Sequence, residues 1–362
     1  MIALSLIGGL IGLVIGGELL VQGASKIARS FGVSSLVVGL TIVAFGTSSP
    51  ELIVSLKATW SGNYEIAVAN VVGSNSFNVL FILGLCALLA PLKVVSQLVR
   101  LDVPIMIAVS LALILFAIDL NISPFEGIIL FAGIVGYTTF LTVKARKEGQ
   151  EQLSFESQEN TEPPKHFKNL LFIALGLVFL VIGGSYFVDG AVALAKSIGV
   201  SDTVIGLTIV AAGTSLPEVV TSIMATLKGE RDIAIGNVVG SNIYNILAIL
   251  GVSAMASDGG LSVTPAMLTI DMMVMLATAI ACLPIFISGY QINRWEGILF
   301  LAAYTTYTTW LILDASKHHQ LANLEQGLTY FVIPAMALSL GVISFQALKK
   351  KGQSPTGSPA GE

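Results

Sequence analysis

The sequence predicts an all-α integral membrane protein: two inverted five-helix repeats forming a ten-helix core, plus one extra C-terminal transmembrane helix. Three observations carry this. Of 362 residues, 54% are hydrophobic and 11% charged, far from the mixed composition of a soluble globular domain. The apolar residues gather into eleven stretches, each close to the roughly 20 residues that cross a bilayer as a helix. A 46-residue block also occurs twice.

The eleven stretches lie near 2–28, 34–58, 65–91, 101–118, 123–143, 168–196, 202–227, 232–256, 264–287, 293–313 and 327–347. A membrane β-barrel would instead show alternating segments of about ten residues, and none is sustained here. The opening "MIALSLIGGL" lacks a basic n-region and reads as the first span rather than a signal peptide. Threading the chain through these spans puts 15 of the 18 Lys and Arg residues on one side, leaving only Lys57, Lys196 and Lys317 opposite. The positive-inside rule makes the crowded side cytoplasmic, with the N-terminus outside and the C-terminus inside a plasma (inner) membrane.

The repeat sets the organisation. Gly39–Gly84 aligns with Gly206–Gly251 at a constant offset of 167 residues, with 28 identities in 46 positions and no gap. Each copy takes in five spans, and five is odd. The second copy therefore enters the membrane from the other side, the arrangement of secondary transporters that bind substrate at the repeat interface. The divisions expected are residues 1–146 for the first repeat, 147–166 for a cytoplasmic linker and 167–315 for the second repeat. Residues 316–348 form a loop and the extra helix, and 349–362 a disordered cytoplasmic tail.

Each copy holds a glutamate in its most apolar region, in "GTSSPE" (Gly46–Glu51) and "GTSLPE" (Gly213–Glu218). Ser48-x-x-Glu51 and Ser215-x-x-Glu218 match a helix capping box, with Pro50 and Pro217 in the first turn. Each span is thus expected to break near Gly46 or Gly213 and restart at the serine. Capping alone does not explain a carboxylate whose placement at the bilayer centre costs at least about 2.5 kcal/mol.

The surroundings are all oxygen donors. Broken helices release backbone carbonyls, here expected from Ala44 and Ala211, and Thr47, Ser48, Thr214 and Ser215 add hydroxyls. The following span carries "NVVGSNSFN" (Asn70–Asn78) or "NVVGSNIYN" (Asn237–Asn245). Asn70, Ser74 and Asn78 are spaced to share one helix face, as are Asn237, Ser241 and Asn245. Ser74, Asn78, Ser241 and Asn245 are taken as ligands, whereas Asn70, Asn75, Asn237 and Asn242 divide evenly between ligand and interhelical glue. Carboxylates with neutral oxygens, and no histidine or thiolate, suit hard cations such as Ca²⁺ and Na⁺. Glu18 and Asp189 do not repeat at this offset, and together with Asp271, which also lies in or near a span, they read as structural or interfacial. The two cysteines and three histidines give no disulfide framework, zinc site or haem site, and no cofactor or nucleic-acid partner is expected.

These doubled motifs resemble the paired α-repeats of the cation/calcium exchanger superfamily, the sodium/calcium exchangers and their prokaryotic relatives. The resemblance covers spans 1–10. It implies exchange of Ca²⁺ against Na⁺ by alternating access, with spans 1 and 6 as a gating bundle. It also implies that Glu51 and Glu218 are the central Ca²⁺ ligands, assisted by backbone oxygens of Thr47 and Thr214. Ser48, Ser74, Ser215 and Ser241, with the carbonyls of Ala44 and Ala211, would serve flanking Na⁺ sites. Asn78 and Asn245 are both amides, whereas some relatives, including potassium-dependent exchangers and certain archaeal ones, place an aspartate at the second position, which disfavours potassium co-transport and leaves it open. The alternative co-ion is H⁺, carried by the same glutamates. An intramembrane enzyme is disfavoured, since neither paired aspartates nor a serine with an intramembrane histidine is present.

Overall fold

The computed structural model describes residues 1–155, 166–199 and 211–316, with isolated positions 205, 209 and 341. Among the described residues eight helices are long and apolar enough to cross a membrane, and one bent pair makes a ninth. The chain is an all-helical integral membrane protein. In order, α1 is Ile2–Ser30, the bent pair is α2 (Ser35–Thr47) and α3 (Ser49–Trp60), α4 is Tyr64–Leu89, and α5 is Leu98–Asp119. Next come α6 (Pro124–Phe155), α7 (His166–Ser197), the shorter α8 (Leu216–Leu227), α9 (Arg231–Ala256), α10 (Met267–Ile287) and α11 (Arg294–Ala315). The stretch 327–347 and the tail 349–362 lie outside the described residues, Gly341 apart, as does most of 200–210.

Two boundaries differ from the sequence reading. Helix α6 continues to Phe155, through half of the expected linker. The reason is composition: "KARKEGQEQL" consists largely of strong helix formers, so nothing stops propagation at the membrane edge. The break near Gly46 comes later than expected: α2 is helical through Thr47, with a π-helical stretch at Gly39–Val43, and then bends by 43° into α3.

Among the described residues, four two-residue strands close the loops. Strand β1 (Leu92–Lys93), before α5, pairs antiparallel with β4 (Gln291–Ile292), before α11. Strand β2 (Asn121–Ile122), after α5, pairs with β3 (Leu261–Ser262), before α10. The two ribbons therefore sit at opposite ends of α5.

Burial ranks the helices. The apolar window of α9 is 94% buried and that of α4 78%, against 6% for α11, so α4 and α9 form the centre and α11 the rim. Buried apolar residues fall into two clusters, a large one around α4 and α9 and a smaller one joining α1 and α7 to α8 and parts of α2 and α9. Helices α1 and α7 approach almost backbone to backbone. A Cβ at Gly16 would lie 2.7 Å from Leu180 N, and one at Gly176 the same distance from Leu20 N. Gly9, Gly16 and Gly23 recur every seven residues against Gly176, Gly183 and Gly190, so small residues set this contact along several turns.

Candidate cation site

The bend after Thr47 delivers Glu51 to the interior, and the start of α8 does the same for Glu218. Glu51 is 0% exposed and Glu218 1%. The capping box expected from the sequence is absent. Neither Ser48 nor Ser215 caps its own helix through its side chain; each instead crosses to the other half. Ser215 Oγ donates to Glu51 Oε1 at 2.8 Å, and Ser48 Oγ donates to Glu218 Oε1 at 3.0 Å. The reason is electrostatic: a buried carboxylate gains more from a hydroxyl than a helix end that backbone groups already close.

Each carboxylate keeps one buried oxygen, Oε2, without a hydrogen bond. The same is true of Asn78 Oδ1, Asn245 Oδ1, Ser241 Oγ and Thr214 Oγ1. All six belong to residues that the sequence nominated. Ser74, 3% exposed, joins them through a hydroxyl 3.2 Å from Ser215 Oγ. The crossed serine bonds hold the two carboxylates in one neighbourhood. Orphaned buried polar atoms are rare in folded proteins; these six come from both halves, and Ser76, Thr221, Ser253 and Glu296 hold others.

The asparagines divide cleanly. Asn70 Nδ2 donates to Ser55 Oγ at 3.0 Å and to Glu51 O at 3.2 Å, tying α4 to α3. Asn237 Nδ2 likewise donates to Ser222 Oγ at 3.0 Å, tying α9 to α8. Asn75 and Asn242 bond reciprocally across the centre: each side-chain amide donates to the other's backbone carbonyl, at 3.1 and 3.2 Å. These four are spent on helix contacts, whereas Asn78 and Asn245 open the π-helical stretches Asn78–Leu83 and Asn245–Leu250. π-Helical turns recur at functional sites because they re-aim side chains.

Other nominated groups fare differently. The carbonyl of Ala44 is not released by the bend, because it accepts the Ser48 N–H at 3.0 Å in a continuing helical turn. Ala211 opens the short helical turn Ala211–Gly213 ahead of Ser215. Thr47 is fully buried, and its hydroxyl donates to Asn237 Oδ1 at 3.0 Å. Glu18 is exposed and pairs with Lys228 at 3.1 Å, and Asp189 is exposed.

Sequence reasoning missed one repeated acid. Asp102, 0% exposed, accepts a hydrogen bond from Tyr137 at 3.0 Å, and Asp271 accepts one from Tyr307 at 2.6 Å. The register slips by two residues in the loop before these positions, so a gapless offset hides the pair. Both bonds join adjacent helices, α5 to α6 and α10 to α11.

Comparison with known proteins fits this geometry. The sequence profile of the family described as sodium/calcium exchanger protein matches residues 1–143 and 168–313. The chain belongs to the sodium/calcium exchanger family. This family member is 35% identical over 341 residues to the sodium/calcium exchanger MaX1 of Methanosarcina acetivorans, a match covering 84% of this chain and 96% of that one. It is also 37% identical over 279 residues to the inner membrane protein YrbG of Escherichia coli (strain K12), covering 76% and 85%. A solved structure of the sodium-calcium exchanger NCX_Mj, soaked with Na⁺ and Ca²⁺, aligns at TM-score 0.72 and 31% identity over 86% of this chain and 97% of that one. The chain shares the fold of that solved exchanger and is a cation exchanger by family.

Proposed function

We propose that this chain is a secondary active antiporter that exchanges Ca²⁺ for Na⁺ by alternating access at one mid-membrane site shared by both halves. The observation that carries the reading is the pair of fully buried glutamates, each held by a serine of the opposite half and each with one oxygen left over. Taking an ion out of water costs several kcal/mol even after relaxation. A bound cation offsets that cost for both carboxylates at once, and one Ca²⁺ or two Na⁺ neutralises them. Ca²⁺ takes roughly 6–8 oxygen ligands, and the four oxygens left unbonded on Glu51, Glu218, Asn78 and Asn245 supply part of such a shell.

In this reading Glu51, Glu218, Asn78 and Asn245 face Ca²⁺. Ser48, Ser74, Ser215, Ser241, Thr47 and Thr214 line the flanking positions used by Na⁺, with Ala44 and Ala211 bordering them. The emptied site carries two uncompensated charges in a low dielectric and resists closure, which favours coupled exchange over leak. The halves are inverted, residues 1–146 against 167–315. Support comes from the ribbons: β1 and β3 stand at equivalent steps of the two repeats yet lie at opposite ends of α5. With the N-terminus outside an inner membrane, the 15 basic residues stay cytoplasmic.

A second reading, H⁺-coupled Ca²⁺ exchange, draws on the same observation, because a proton on each unpartnered carboxylate oxygen would also neutralise the site. The test is radiolabelled Ca²⁺ uptake into proteoliposomes under an outward Na⁺ gradient, and separately under a proton gradient alone. Uptake driven by Na⁺ is expected. Uptake that follows the proton gradient and ignores Na⁺ would select the second reading, and none under either would refute both.

A further inference from the structure

The central asparagines set which end of Asn78 and Asn245 faces the site. A backbone carbonyl can only accept, so the carbonyl of Asn242, bonded by the Asn75 side chain at 3.1 Å, fixes that side chain with Nδ2 toward it. Asn75 Oδ1 then points the other way and accepts from Asn245 Nδ2 at 3.0 Å. Asn245 has thereby spent its donor end, and its Oδ1 is left as a buried, unbonded acceptor. The mirror chain runs from the carbonyl of Asn75, through Asn242, to Asn78: Asn242 Nδ2 donates to that carbonyl at 3.2 Å, and Asn78 Nδ2 donates to Asn242 Oδ1 at 3.0 Å. Asn78 Oδ1 is the orphan on that side.

We propose that Asn75 and Asn242 are positioning residues for the exchange reaction: they lock the amides of Asn245 and Asn78 with oxygen toward the cation and nitrogen away from it. The inference rests on the exchanger reading above. An unrestrained amide presents NH₂ to the site as readily as oxygen, and NH₂ repels a cation. Turning Asn245 over in the intact network would set its oxygen against Asn75 Oδ1, acceptor against acceptor. The lock is enclosed: Asn75 and Asn242 are 1% and 3% exposed, and the sulfurs of Met275 and Met106 lie 3.7 and 3.6 Å from their amide nitrogens.

The test compares Asn75→Ala in the parent and in an Asn245→Asp background. Aspartate has the shape of asparagine with oxygen at both ends, so it needs no orienting partner. Ca²⁺ half-saturation and maximal rate of exchange are measured in proteoliposomes, with Glu51→Gln alongside. Asn75→Ala in the parent is expected to raise the half-saturating Ca²⁺ concentration roughly 10–100-fold, the usual loss when a partner that orients a ligand is removed. In the Asn245→Asp background the same change is expected to add no more than about 3-fold. The mirrored set, Asn242→Ala with and without Asn78→Asp, should behave alike.

An equal loss in both backgrounds, with Glu51→Gln abolishing exchange, would overturn the positioning role and leave the exchanger site standing. Unchanged half-saturation in Glu51→Gln would instead remove the site itself, and the inference with it. If Asn75→Ala lowers the melting temperature too far to assay, Asn75→Ser serves. It keeps a hydroxyl near the Asn242 carbonyl but is too short to hold Asn245, and the same background dependence is required of it.

Discussion

Thr47 and Thr214 stand at the same step of the repeat, yet they meet different surroundings. Thr47 is wholly buried and its hydroxyl reaches Asn237, whereas Thr214 is half-buried and its hydroxyl makes no matching bond to Asn70. The helices behind them differ in the same sense. Ile233, Gly236 and Gly240 of α9 are buried, and a Cβ at Gly240 would lie 2.7 Å from Leu40 O. Their equivalents on α4, Ile66, Ala69 and Gly73, are exposed, and among the described residues nothing lies within 4 Å of a Cβ at Gly73. The duplication thus supplies the same chemistry twice, and among the described residues the packing around it is unequal.

The strongest way to break this comparison is through the glutamates, where the halves should not differ. Glu51→Gln and Glu218→Gln should each lower the initial rate of Ca²⁺ uptake by about 100-fold or more, the scale expected when one member of a buried charged set is removed. A large loss from one and none from the other would deny them equal parts. Packing should then separate the halves. Gly240→Ala should lower the stability of the purified protein by about 1–3 kcal/mol through overpacking, read as a fall in melting temperature, while Gly73→Ala leaves it nearly unchanged; the reverse order would contradict the asymmetry.

Smaller again is the pair Thr47→Val and Thr214→Val. The first removes a buried hydrogen bond worth about 1 kcal/mol, so its melting temperature should fall below that of the second. The smallest effect belongs to Arg29, which bonds Glu230 at 2.8 Å between α1 and the α8–α9 loop while its side chain stays 75% exposed. Solvent and salt screen such pairs. Arg29→Ala should change the exchange rate by less than about 3-fold, with the difference disappearing at high ionic strength.

Much of this was legible in the sequence because the bilayer imposes it. The length and apolarity of the spans followed from the need to satisfy every backbone group inside the membrane, and the doubled motifs brought forward Glu51, Glu218, Asn78 and Asn245. What was hidden depends on distance through space. Ser48-x-x-Glu51 reads locally as a capping box, and only the fold shows the serine reaching Glu218. Asn75 and Asn242 could not be assigned because their partners are each other, across 167 residues. Asp102, and with it the equivalence to Asp271, escaped because a two-residue slip breaks the repeat register, and the continuation of α6 to Phe155 was obscured by polar residues that resemble a linker but favour helix.

The central claim is one site built jointly by both halves, and equilibrium binding tests it most directly. Radiolabelled Ca²⁺ would be titrated in Na⁺-free buffer against the purified parent, Glu51→Gln and Glu218→Gln, each checked for a native melting transition. The account predicts one Ca²⁺ per chain in the parent and none in either variant over the same concentration range. Two ions in the parent with one retained in each variant would mean separate sites in separate halves, and would contradict it.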